Sequence, residues 1–116
     1  IGARPVVDAA ARVARLLSHH LGGSFVRIAL GRDVVVSAGT SAVDRLLHDV
    51  AIEPDGVLEV EHERARPPGE WELVLCERAA GLVAIAVARE LGERDLRRRL
   101  LDALRAAVGT TATAAA

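Results

Sequence analysis

The feature that most constrains the fold is a change of hydrophobic period at SHHLGGSF, residues 18–25. Before it, apolar residues recur at the three-to-four spacing of one helical face, at Val6, Ala10, Val13, Leu17 and Leu21. After it they recur at every second position, at Val26, Ile28 and Leu30. Two glycines lie between, where a left-handed residue closes a helix. The pattern predicts that a first helix ends here and a strand begins.

The same stretch holds two adjacent histidines, His19 and His20, which raise the question of a metal site or a catalytic base. Neighbouring helical residues point about 100° apart, so this pair is poorly placed to ligate one ion. A helical zinc pair needs i, i+4 spacing with a carboxylate nearby. We therefore interpret the pair as the last turn of the helix, where a cation is mildly favourable.

Four further segments follow. Gly31-Arg32-Asp33 predicts a turn into a β-branched second strand, VVVSA, and thus a hairpin. Residues 41–50 predict a helix of about two turns, because Ser41 and Asp44 have capping-box spacing. Pro54-Asp55-Gly56 is a strong turn signal. The alternation after it predicts a strand with one face formed by Leu58, Val60 and His62.

The last third of the chain predicts helices. From Glu70 to Leu91 we expect one long helix, with an apolar stripe of Trp71, Val74/Leu75, Ala79, Leu82 and Ile85/Ala86. The alternation in WELVLC leaves a strand over residues 70–76 as the alternative. A single coiled-coil seam would place Arg89 and Gly92 or Glu93 at a and d positions, so we expect a separate helix, Glu93 to Val108. Residues 110–116 are expected to be a disordered tail.

Composition narrows the class of protein. The 116 residues form one domain, and 51% of them are hydrophobic, which disfavours disorder. A single cysteine, Cys76, excludes a disulfide framework and an all-cysteine metal site and fits a reducing cytoplasm. The net charge of −1 gives no bulk attraction to nucleic acid or anionic lipid, and no apolar run is long enough for a membrane span. The element order predicts an α+β fold, a small antiparallel sheet with N- and C-terminal helices on one face.

Two stretches carry a resemblance to a known family. ARLLSHHLGGSFVRIALGRDVVVSAG resembles the opening of a GAF domain, and GVLEVEHERARPPGEWELVLCERAAGLVAIAVARE resembles its close. ARELGERDLRRRLLDALRAA is similar to the connector helix that follows the GAF-like region in PucR-type transcriptional regulators. The resemblance implies a GAF/PAS-like domain over residues 1–91, a connector or dimerisation helix over 92–109 and the tail over 110–116.

The resemblance also implies a function. It points to a cytoplasmic, non-catalytic regulatory module of a bacterial signalling or transcription-regulator protein, which forms a homodimer and acts on a downstream effector domain in the same chain. Only Thr40 to Gly56 stands where GAF domains carry the elements that wall their pocket, which argues against a sizeable pocket. The alternative is a sensor domain of a histidine kinase, with a small metabolite held between the outer sheet face and residues 40–56.

Candidate site residues follow from these two hypotheses. Phe25, Arg27 and Glu59 are candidate ligand-binding residues, since GAF domains hold ligands on this sheet face. Arg27 has a second interpretation as a cross-strand ion pair with Glu59 or Glu61. The dimer seam is predicted at Leu96, Leu100, Ala103 and Ala107. We expect no catalytic residue, metal ligand or cofactor, and we interpret Cys76 as a small core residue.

Overall fold

The computed structural model describes the backbone of residues 4–115 and the side chains of residues 4–109. Its elements are α1 (Pro5–His20), β1 (Val26–Leu30), β2 (Val34–Ala38), β3 (Arg45–Ile52), β4 (Gly56–Glu63) and α2 (Glu70–Ala115). The four strands form one antiparallel sheet in the order β2-β1-β4-β3. The predicted α+β class, with an antiparallel sheet and helices from both ends of the chain, is confirmed.

Helix α1 ends where the sequence predicts. Pro5 starts the helix, and the two glycines after its C-terminus, Gly22 and Gly23, have φ of 74° and 91°. His19 and His20 lie exposed in the last turn. The stretch SHHLGGSF is therefore a helix ending, as predicted, because the glycines adopt a left-handed backbone that costs other residues about 1–2 kcal/mol.

The core lies between one sheet face and the two helices. The inward residues of β1, Val26 and Ile28, stand opposite Val60 and Leu58 of β4, and all four are buried. Helix α1 packs on β1 and β2, α2 packs on β3 and β4, and the helices contact each other. Arg4 joins them from outside, donating to both carboxylate oxygens of Glu90 at 3.2 and 2.9 Å and to Asp33 at 2.8 Å.

The predicted short helix over residues 41–50 is wrong. Residues 45–52 form the edge strand β3, paired with β4 in a register that sets Arg45 opposite Glu63 and Ile52 opposite Gly56. The inward residues alternate as Leu46, His48, Val50 and Ile52. Burying this apolar set against α2, together with the hydrogen bonds to β4, outweighs the local capping signal of Ser41 and Asp44.

The predicted helix from Glu70 is confirmed over the strand alternative, but its predicted end is wrong. One helix runs from Glu70 through Gly92 to Ala115, so residues 93–108 are not a separate helix. Gly92 weakens a helix by about 1 kcal/mol but does not break it, since flanking helix formers continue the hydrogen-bond ladder. The backbone of residues 110–115, which the sequence assigned to a disordered tail, continues this helix, and Ala116 lies outside the described residues.

The predicted core stripe of α2 is only partly correct. The buried residues are mostly small: Cys76, Ala79, Ala80 and Val83. Trp71, Leu82 and Ile85, which the stripe placed inside, are exposed. Helix α1 likewise buries two alanines, Ala10 and Ala14, in the same cluster. Small side chains on both helices allow a close approach, so the larger residues lie outside. Within residues 4–115, no helix is long and apolar enough to cross a bilayer.

Candidate functional site

The most prominent surface feature is an apolar stripe on α2. At about 100° per residue, Trp71, Leu82, Ile85, Leu96 and Leu100 lie within about 60° of one another on an ideal helix. Their exposed fractions are 70%, 60%, 61%, 58% and 56%. We call these five residues the α2 stripe. The buried Cys76 and Val83 lie on the opposite side of the helix, so the stripe faces away from the sheet.

The predicted dimer seam falls on this stripe. Leu96 and Leu100 belong to it, and Ala103 and Ala107 continue it at three- and four-residue spacing. All four residues are exposed. Three residues interrupt the apolar surface. Arg78 separates Trp71 from Leu82, and Arg89 and Gly92 separate the part beside the sheet from the part beyond it. The seam remains a prediction, but the structure leaves it accessible to a second chain.

The candidate ligand-binding residues lie on the outer face of the sheet. Arg27 stands directly opposite Glu59 in the register, and its Nη1 donates to Glu59 Oε2 at 2.9 Å. The ion pair expected from the sequence is therefore present, and both side chains are about one-third exposed. Phe25 is half-buried next to β1. Residues 45–52 form the sheet edge, so this part of residues 40–56 does not cover the outer face as the metabolite hypothesis requires.

A polar cluster fixes the start of β3 to the end of β4. Glu61 is buried, and Arg45 Nη1 donates to its Oε1 at 2.7 Å. Ser41 Oγ lies 2.7 and 2.9 Å from the two carboxylate oxygens of Glu61 and donates to that group. The carboxylate is thus compensated by a charge and by a hydroxyl donor, which is what a buried charge requires. This cluster is structural.

Three potential ligand side chains meet under the other face of the sheet. His48 of β3, His62 of β4 and Cys76 of α2 each offer one donor atom, and the three atoms lie within 4.8 Å of one another. We call them the His–His–Cys cluster. His48 stands opposite Val60, two positions along β4 from His62, so the histidines are diagonal neighbours on one face. Their ring centroids are 5.9 Å apart.

The environment keeps two members of the cluster, His62 and Cys76, uncharged at neutral pH. Burial, with a smaller contribution from His48, lowers the pKa of His62. Burial, followed by the charges of Glu72 and Glu77, raises the pKa of Cys76 to about 11. A thiol with that pKa is a weak nucleophile at pH 7. His48 Nδ1 and His62 Nε2 are buried without a hydrogen-bond partner in the described part of the chain.

A groove leads to the cluster. It has a volume of about 280 Å³, and His62, Glu72 and Arg66 line it together with residues of the α1 ending. Glu72 precedes Cys76 by four residues and therefore lies one turn away on the same face of α2. Its Oε2 accepts a hydrogen bond from Gly69 N at 3.0 Å. The groove gives solutes a route from solvent to His62.

No family model, curated protein or solved structure matches this chain significantly. The function must therefore be argued from the α2 stripe and the His–His–Cys cluster themselves.

Sequence reasoning missed the cluster because it placed His48 on a helix. The alternation in RLLHDVAI was the available signal, since Leu46, His48, Val50 and Ile52 share a face when the segment is extended. That face matches Leu58, Val60 and His62 of the predicted strand. The approach of Cys76 from α2 had no signal in the sequence, because it depends on how the helix crosses the sheet.

Proposed function

We propose that this chain is a non-catalytic, GAF-like regulatory module that forms a homodimer and transmits a conformational bias to a downstream effector domain. The parent protein would be a bacterial regulator of PucR type or a histidine kinase. The observation that carries the proposal is the α2 stripe. Soluble domains rarely leave a row of large apolar side chains exposed unless another surface covers it.

A second copy of the chain is the occupant that the stripe fits best. An apolar row along a long straight helix is complementary to itself, since a two-fold axis sets the same row against its copy. The 46 residues of α2 span about 69 Å at 1.5 Å per residue, which agrees with the 76 Å length of the molecule. Two such helices have room to pair both beside the sheet and beyond it.

The energy of such pairing is of the right order. Burying a Leu or Ile fully contributes about 1.5–3 kcal/mol. Because more than half of each stripe side chain is still exposed, covering it would contribute rather more than half of that free energy. Leu82, Ile85, Leu96 and Leu100 from two chains would together contribute about 7–14 kcal/mol. Association costs about 4–15 kcal/mol. A micromolar dimer needs a net of about 8 kcal/mol, which the upper end of this gain reaches only against the lower end of that cost, so we expect a weak dimer rather than an obligate one.

The same helix connects the dimer contact to the body of the domain. One side of its first half is buried against the sheet at Cys76 and Val83, while its second half projects past the sheet. Because the helix is continuous through Gly92, a rotation or shift of its seated half moves the projecting half as a unit. Small helix shifts of this kind are a common way to bias an attached domain.

The dimer is tested by light scattering on fractions separated by size exclusion, over about 1–200 μM protein. We expect wild-type protein to approach the dimer mass, and Leu100→Glu to weaken association by about 30-fold or more because two leucine contacts are lost. Leu91→Glu is the matched control. Leu91 is comparably exposed on the same helix but lies nine residues, and so about 180°, from Leu100.

The fluorescence of Trp71 gives a second readout. It is the only tryptophan in the chain and belongs to the α2 stripe, so pairing should shift its emission to shorter wavelength as concentration rises. A wild-type chain that stays monomeric at 200 μM, or a Leu100→Glu variant with unchanged mass, would contradict dimerisation through α2.

Transmission to an effector domain has its own test in a chain that carries that domain. Inserting seven residues after Gly92 changes the angular phase of the helix that follows by only about 20° and keeps its seven-residue repeat. Inserting four residues changes that phase by about 40° in the opposite sense and shifts the repeat. We expect effector activity to tolerate the first insertion and respond to the second. Equal activity in both would argue against transmission along α2.

A further inference from the structure

The His–His–Cys cluster is unusual for its surroundings. The core around it consists of aliphatic residues, including Leu58, Val60 and Val83. Cys76 and His62 are buried and His48 is half-buried. A buried nitrogen without a partner costs about 1–3 kcal/mol, and folded proteins satisfy most such groups. Two unpartnered imidazole nitrogens in one cluster therefore need a reason.

We propose that this cluster is a binding site for a thiophilic divalent cation of the zinc class, held by one ring nitrogen each of His48 and His62 and by the sulfur of Cys76. An ion there would give the imidazoles the partner that residues 4–109 do not provide. It would also join three elements that are distant in sequence, the edge strand β3, its neighbour β4 and the first half of α2.

The donor set fits zinc. Neutral imidazole and thiolate are the ligands that Zn²⁺ prefers, at about 2.0–2.1 Å to nitrogen and 2.3 Å to sulfur. Those bond lengths in a tetrahedral arrangement place ligand atoms about 3.3–3.6 Å apart. The three donor atoms already lie within 4.8 Å, so binding requires them to close by at most about 1.5 Å. Side-chain rotations are sufficient for a movement of that size.

Binding is an acid–base exchange without redox chemistry. The Cys76 thiol loses its proton to solvent as the zinc–sulfur bond forms, and the two imidazoles bind through nitrogen lone pairs. Three protein ligands leave a fourth position of the tetrahedron for water or a carboxylate. The groove beside His62 supplies the route for the ion. Its lining carries two carboxylates, Glu63 and Glu72, against one guanidinium, Arg66, and this balance favours a cation.

The experiment is a titration of the reduced, chelator-treated protein with Co²⁺ and then Zn²⁺. We expect one equivalent of Co²⁺ to give tetrahedral visible bands and a sulfur-to-cobalt charge-transfer band, both lost when Zn²⁺ displaces the ion. Because Cys76 is the only cysteine, the charge-transfer band identifies this ligand without any substitution. Zn²⁺ should also raise Tm, since it binds only the folded site.

Variants then locate the site. Cys76→Ala and His62→Gln should each weaken binding by more than the 10–100-fold typical of changes outside the ligand set. The matched control is the His19→Ala variant, which removes an exposed histidine that does not line the groove and should bind as wild type.

Two results would overturn the proposal. One is a Co²⁺ complex of the wild-type protein without the charge-transfer band. This result does not depend on whether any variant folds. The other is an affinity for Co²⁺ that is unchanged in Cys76→Ala but lost in a His19→Ala/His20→Ala double variant. That pair of results would mean adventitious binding at the end of α1. Dimerisation is measured separately, so either result leaves the role of the α2 stripe unaffected.

Discussion

Gly39, just after β2, is where we expect the fold to be most sensitive to one added methyl group. Its φ is 87°, and the Cβ of an alanine there would overlap the carbonyl oxygen of Ser24 and the hydroxyl of Ser18. It would also lie 2.7 Å from the carbonyl carbon of Ser24. Real Cβ atoms essentially never approach other atoms this closely, so either Ser24 or the end of β2 must move.

The cost of Gly39→Ala has two parts. The left-handed backbone costs alanine about 1–2 kcal/mol. The overlap also displaces Ser18, which is buried and donates to Ser24 O at 2.7 Å, and an unsatisfied buried hydroxyl costs about 1–3 kcal/mol. We therefore expect the free energy of unfolding to fall by about 2–5 kcal/mol. That is a large part of the 5–15 kcal/mol typical of a domain.

The Gly23→Ala variant separates the backbone contribution from the contribution of the overlap. Gly23 has a φ of 91° but nothing within 4 Å of its added Cβ, so this variant should lose only the backbone contribution of about 1–2 kcal/mol. Urea unfolding followed by far-ultraviolet circular dichroism measures both variants against wild type. The reasoning fails if Gly39→Ala and Gly23→Ala are equally destabilised.

Three further predictions test other parts of the structure. Gly92→Ala should stabilise the protein by about 0.5–1 kcal/mol and raise its ellipticity at 222 nm, because nothing lies within 4 Å of the added Cβ in a helix interior; a loss of helix would contradict a continuous α2. The hydrogen bond from Arg4 lowers the pKa of Glu90, so its stabilisation is complete above about pH 5 and is lost as pH falls through the lowered pKa. Glu90→Gln should therefore lower Tm at pH 7 and by progressively less as the solution is made more acidic, and a pH-independent difference would refute the ion pair. Arg27→Ala should lower the free energy of unfolding, measured in urea, by only about 0.2–1 kcal/mol, because its ion pair with Glu59 is partly exposed. If an anionic ligand occupies the outer face, the same variant should abolish its binding. A larger loss of stability would show that the pair contributes more than exposed ion pairs usually do.

Local patterns predicted much of the fold. The end of α1 at Gly22 and Gly23, the β1–β2 hairpin and strand β4 all follow from hydrophobic period and turn residues that act over a few positions. The pairing of Arg27 with Glu59 needed one additional assumption, that β1 and β4 are neighbours. It came from a resemblance between apolar patterns.

The errors arose where local and tertiary preferences conflict. Residues 41–50 carry a capping signal and an apolar face that suit a helix, yet they form β3 because pairing with β4 completes the sheet. Gly92 carries the local signature of a break, yet the helix continues because a single glycine costs too little to end it.

Period and composition alone determined an α+β domain with a helix at each end, since they select which backbone each segment can bury. Only the tertiary structure decided which apolar residues of α2 are left outside and which side chains approach His62. Those outcomes depend on the angle and closeness at which the helix crosses the sheet. Many side chains distant in sequence set that geometry together, and no short stretch encodes it.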